Sequence, residues 1–189
     1  MSYPIHTPRT APEAARATLA KISETWGFLP NLGAVLAESP PALELLWVGY
    51  AALSKAATLT PAEQQLVCVA ASRANGCVYC VAAHSTLALG ARLSAEALQA
   101  ARNGHAISDA RLEALRATTE RLVTQRGLLE VAEQRAFFEA GFSHGQLLEV
   151  LGWICLKTLT NYTNHIASTP VDPEWQGQAW LPDQLDSSR

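Results

Sequence analysis

Apolar residues recur three and four positions apart through most of this chain, the spacing of helices that each bury one face. Leu43, Leu46, Trp47, Tyr50 and Leu53 form such a stripe behind Ser39-Pro40-Pro41, which predicts a helix from there to about Ala57. Pro12 and Glu13 suit a first turn, so a helix is expected to run to about Trp26, with Gly27 to Asn31 as the turn after it. Thr60-Pro61-Ala62-Glu63 is a capping box, in which the threonine hydroxyl accepts from the Glu63 amide and the Glu63 carboxylate accepts from the Thr60 amide. The helix it opens should reach about Ala74, where Asn75-Gly76 interrupts it. Another begins at or just before Cys77 and closes at Gly90. Further helices are predicted from Ser94 to Arg102, Ser108 to Gln125 and Val131 to Ala140. Ser143, with Gln146 three residues on, caps a long apolar helix from His144 to about His165.

Paired helices with short connections make an all-α bundle of antiparallel hairpins. We read one domain over residues 1–189, with an N-terminal arm at 1–10 and an extended C-terminal tail at 167–189. The composition points the same way: 49% of residues are hydrophobic, with alanine and leucine prominent and β-branched runs scarce.

Charge removes several classes of partner. The formal net charge is -3 and no Lys/Arg cluster occurs, which argues against nucleic acid or an anionic membrane surface. No apolar run approaches the roughly 18 to 20 residues that would span a bilayer. The N-terminus lacks the charged and apolar regions of a secretory signal, so a cytoplasmic location is expected. Four cysteines in a reducing compartment are not a disulfide framework, and their spacing must say what they do.

Two of them lie in Cys77-Val78-Tyr79-Cys80, and His84 follows one helical turn later. On a helix the second thiol and the imidazole fall at about 300° and about 340° from the first thiol, within one stripe. The amides and dipole of a helix N-terminus favour a thiolate, most strongly at Cys77. His84 is placed to take a thiol proton directly or through one water. Peroxide attack on one thiolate would give a sulfenic acid that the other sulfur resolves as a disulfide. Two other readings compete: a zinc site made by Cys77, Cys80, His84 and a distant fourth ligand, and two buried thiols with no chemistry. No second Cys/His knuckle accompanies the first, so no metal and no cofactor are expected.

Cys68 and Cys155 are expected to pack as small hydrophobes, and His165 to be structural unless the fold carries it to the dithiol. Tyr79 should pack at a wall of the site or at a subunit contact. Trp26, Trp47 and Trp153 read as core or interface, while Trp175 and Trp180 would anchor the tail on a neighbouring subunit.

From about Trp26 to Gly90 the sequence resembles the alkylhydroperoxidase D and carboxymuconolactone decarboxylase superfamily, particularly its peroxidase-related members. The matching stretches are GFLPN, LTPAEQQLVCVAASRANG and CVYCVAAH, with NYTNHIASTPVD later in the chain. The resemblance implies an all-α homo-oligomer, a trimer, hexamer or dimer, that reduces a hydroperoxide and is reset by a separate thiol or dithiol reductant. It also implies Cys80 as the thiol that becomes sulfenic and Cys77 as its resolving partner, the reverse of the order the dipole favours. One position departs from the pattern. Members with relay chemistry place a glutamate twelve residues before the first motif cysteine, where this chain has Gln65. Glutamine can orient a group but cannot accept a proton, so peroxidase activity is expected to be weakened unless His84 carries the relay. Glu63 lies about 200° round the helix from Gln65 and reads as the cap instead. The alternatives are a thiol-disulfide oxidoreductase with little peroxidase activity, and a non-catalytic oligomeric binding or sensor protein on the same scaffold.

Overall fold

Capping chemistry sets where several helices begin. The computed structural model describes residues 3–182 and contains no strand among them. Its helices are α1 (Glu13–Trp26), α2 (Asn31–Leu36), α3 (Pro40–Ala56), α4 (Pro61–Ala74), α5 (Val78–Gly90), α6 (Ala95–Asn103), α7 (Ala110–Thr124), α8 (Val131–Glu139) and α9 (His144–Ala167). Both capping boxes form: the Glu63 amide donates to Thr60 Oγ1 at 3.3 Å and the Gln146 amide to Ser143 Oγ at 3.1 Å. Glu63 also binds Arg111 Nε at 2.8 Å, which ties α4 to α7 and uses up its carboxylate away from the dithiol.

Three departures from expectation have physical causes. Helix α2 begins at Asn31, where only the end of a turn is expected; Leu32 to Leu36 are all buried, so the segment shows no amphipathic period to detect. Gly90 stays inside α5, and it is Arg92 that adopts the left-handed conformation, with φ 68°. The tail is not simply extended. Pro173–Gln178 forms a 3-10 turn that buries Trp175 edge-on against Trp26, Phe28 and Tyr79 of its own chain. Trp180 likewise donates to the Arg102 carbonyl at 3.2 Å, so both tail tryptophans have partners within the chain. The last part of the predicted tail, 183–189, lies outside the described residues.

Helix α4 is central and packs against α5, α7 and α9. Its apolar side joins Leu115, Phe137, Val150 and Trp153 in one core. A second core gathers Leu19, Ile22, Leu36 and Leu43 from α1 to α3 around Cys77, Tyr79 and Cys80. The dithiol therefore sits between the N-terminal helices and the C-terminal turn.

Candidate functional site

The α4–α5 junction fixes the first sulfur. Gly76, at φ 70°, lets the Gly76 amide donate to the Arg73 carbonyl and the Cys77 amide to the Ser72 carbonyl, the paired bonds of a Schellman stop. Cys77 is left extended, at φ -87° and ψ 98°, as the residue that caps α5, and its own carbonyl accepts the first helical bond from Val81. A side chain at position 76 would need this left-handed backbone, which glycine adopts without strain.

Helix α9 supplies the facing wall. Asn164 Nδ2 donates to both sulfurs, at 3.3 Å to Cys80 Sγ and 3.7 Å to Cys77 Sγ, and Thr160 Oγ1 lies 3.7 Å from Cys80 Sγ. Lys157, on the same face of α9, is buried at 3% exposure and donates from Nζ to His84 Nε2 at 2.5 Å. An ammonium only donates, so Nε2 is the acceptor and the imidazole is neutral, with its proton on Nδ1. That proton goes to Gln65 Oε1 at 2.8 Å. Gln65 and His84 thus meet, and Gln65 holds the ring. Both ring nitrogens are occupied, and no hydrogen bond joins His84 to either sulfur.

The two thiols are shifted in opposite directions. Burial works against a Cys80 thiolate, but a hydrogen bond from Cys77, the Lys157 charge, and Thr160 and Asn161 outweigh it and push the thiol below its ordinary range. Cys77 moves up, because it donates to Cys80 and is itself buried. The helix dipole, which favours Cys77, is outweighed because specific donors and a cation reach Cys80. Burial, followed by the Lys157 charge, pushes His84 well below its usual value. Next to the site but outside the cavity lining, burial raises Cys68 to about 12.

These directions have a measurable consequence. Cys80 and His84 bind fewer protons when folded than when unfolded, so their contributions to stability are present above 9.0 and 6.5 respectively and decline as pH falls. Cys77 has the opposite sign, contributing below 9.0 and declining as pH rises through its folded value. The ultraviolet absorbance of thiolate should therefore persist in reduced protein well below the ordinary thiol range and vanish in Cys80→Ser. A single titration near the ordinary value would contradict this arrangement.

Cys80 reaches the outside through a cavity of about 90 Å³. Trp26, Trp47, Tyr50, Tyr79 and Trp175 give it aromatic walls, and Cys80, His84, Lys157 and Thr160 are its polar exceptions. Cys77 does not line it. Tyr79 also serves as a fastener, because its hydroxyl donates to Asp172 Oδ2 at 2.5 Å and accepts from the Leu32 amide at 3.2 Å. Asp172 Oδ1 accepts from the Asn31 amide at 3.0 Å. These bonds hold the C-terminal turn and α2 over the dithiol.

Of the other candidates, Cys68 is buried as expected, but Cys155 is exposed on α9. His165 also faces outward, and it is its neighbour Asn164 that enters the site. Lys157, Thr160 and Asn164 are site residues that the sequence motifs do not single out. A signal for them exists: a lysine, a threonine and an asparagine continue the buried stripe of α9 begun by Val150 and Trp153.

Residues 41–121 match the carboxymuconolactone decarboxylase family. Over those residues the chain is similar to that family, and its all-α fold is the AhpD-like one. Among solved structures of this AhpD-like fold, a peroxidase-related protein from Ralstonia eutropha JMP134, described as an alkylhydroperoxidase AhpD core, is 21% identical with a TM-score of 0.80, covering 92% of this chain and 93% of that one. A peroxidase-related protein from Silicibacter sp. TM1040 is 18% identical with a TM-score of 0.78, covering 94% of each. The debrominase Bmp8 is 15% identical with a TM-score of 0.73, covering 88% of this chain and 90% of that one. A cysteine-to-alanine form of that debrominase was solved in complex with 2,3,4-tribromopyrrole. No curated protein sequence matches. The AhpD-like scaffold thus carries more than one activity. No helix among the described residues is long and apolar enough to cross a membrane.

Proposed function

We propose that this protein is a thiol peroxidase for small apolar hydroperoxides, working through Cys80 and Cys77. The observation that carries the reading is Cys80 in the lining of an aromatic cavity, with donors and a buried cation favouring its thiolate. The thiolate attacks the outer oxygen of the hydroperoxide; the S–O bond forms as the O–O bond breaks, and the inner oxygen leaves as an alcohol after taking a proton. Cys77 then condenses with the sulfenic acid, releasing water and closing the disulfide. An external thiol or dithiol supplies the two electrons that reopen it. His84, held by Gln65, keeps Lys157 in place, which accounts for a glutamine at a position where a base would otherwise be needed.

The cavity size favours a small molecule over a protein disulfide as oxidant, which weighs against the exchange reading. Exposed Leu45 and Val48 on α3, with Leu148, Leu151 and Tyr162 on α9, support assembly as a homo-oligomer. The test is to count free thiols after mixing reduced protein with an organic hydroperoxide; two should be lost per chain, and no loss would remove the reading.

A second reading follows from the aromatic walls and the debrominase of the same fold. In it the two thiols supply two electrons that remove a halogen from an aromatic ring as halide. Halide release from a bromopyrrole without peroxide would favour it.

A further inference from the structure

Lys157 is a cation with no carboxylate for company. Its Nζ is buried and bonds to a neutral imidazole, and no described carboxylate lies within the 4.0 Å of an ion pair. An ammonium in such a place is costly unless an anion balances it. The anion that shares its cavity is the Cys80 sulfur. Oxidation of that sulfur removes the negative charge and would leave the cation alone in an aromatic pocket.

We propose that Lys157 is the proton store of the cycle: it gives its proton to the departing oxygen when Cys80 is oxidised and regains one when the disulfide is reduced. The inference rests on the Cys80 redox cycle proposed above and adds where its proton is kept. Cys80 thiolate, hydroperoxide and Lys157 ammonium become Cys80 sulfenic acid, alcohol and Lys157 amine. The sulfur gives up two electrons, the O–O bond breaks and the S–O bond forms. The Cys77 thiol and the sulfenic acid then give the disulfide and water with no further proton needed. Reduction by an external dithiol returns two electrons and two protons, one to Cys77 and one to Lys157, and Cys80 emerges as thiolate. The buried site is neutral at every stage. His84 is a positioning residue here, since its Nε2 accepts from Lys157 and its Nδ1 proton is held by Gln65, so it has no proton to offer the cavity.

Proton uptake measured with an indicator dye in weak buffer tests this. Forming the disulfide from one thiol and one thiolate requires one additional proton, whether the oxidant is a hydroperoxide or the azo reagent diamide. Wild-type protein should take none from solution, because Lys157 supplies it; Lys157→Arg should take one per disulfide, because a guanidinium does not release its proton. The arginine variant should keep the thiolate absorbance yet react with hydroperoxide about 10² to 10⁴-fold more slowly, the usual worth of a positioned proton donor. Uptake of one proton by wild type, or an unchanged rate in Lys157→Arg, overturns the proposal. Should Lys157→Arg fail to fold, the wild-type count decides, with Lys157→Gln as the second variant. A disulfide formed by diamide but not by hydroperoxide would remove the peroxidase reading while the proton count still judges this one; no disulfide with either removes both.

Discussion

Cys80→Ser should lower hydroperoxide turnover at least about 10³-fold, to the level of the uncatalysed background, because a serine oxygen cannot be oxidised by a hydroperoxide as a thiolate sulfur is. Cys77→Ser should behave differently. Its first step survives, but no second sulfur closes the ring, so the reaction halts at a sulfenic acid that dimedone captures once per chain. Mass spectrometry of the two variants after one addition of hydroperoxide reads the difference directly. If Cys77 carried the adduct in Cys80→Ser protein at the wild-type rate, the order of the two thiols would be reversed and the helix dipole would outweigh the local donors.

Trp153→Ala is expected to cost about 3 to 5 kcal/mol of stability, the range for truncating a fully enclosed aromatic side chain. Trp153 is 0% exposed and meets Tyr50 edge-on with ring centroids 5.2 Å apart. Tyr50 is itself a wall of the cavity, so the damage should extend to activity in whatever protein remains folded. The indole Nε1 has no hydrogen-bond partner among the described residues, and Trp153→Phe should therefore lose much less than the alanine variant. Chemical denaturation of the three proteins gives the comparison, and near-equal losses for phenylalanine and alanine would contradict this account of the packing.

Much of the fold can be read from the chain because local chemistry states it. Thr60 with Glu63 and Ser143 with Gln146 mark helix starts through bonds made within four residues, and those bonds are present. The site is harder to read, for a reason visible in its membership. Cys77, Cys80 and His84 are neighbours in sequence, and the twelve-residue step back to Gln65 is set by two helices joined by one tight turn. Lys157, Thr160 and Asn164 come from the far end of the chain, and nothing local says which face of α5 they meet. A periodic pattern gives a stripe but not its partner. For the same reason it is Asn164 and not His165 that reaches the sulfurs: adjacent residues on a helix point about 100° apart, and only packing tells which one turns inward. Helix α2 is hidden in the sequence because burial on every side erases the period.

The clasp in which Asn31 and Tyr79 hold Asp172 also sets an order of events. A ribosome releases the front of this chain long before residues 172 to 175 emerge, so for that interval the two sulfurs have no roof and sit open to any oxidant nearby. Proteins ending short of Trp175 would remain in that condition permanently, prone to join with one another through sulfur.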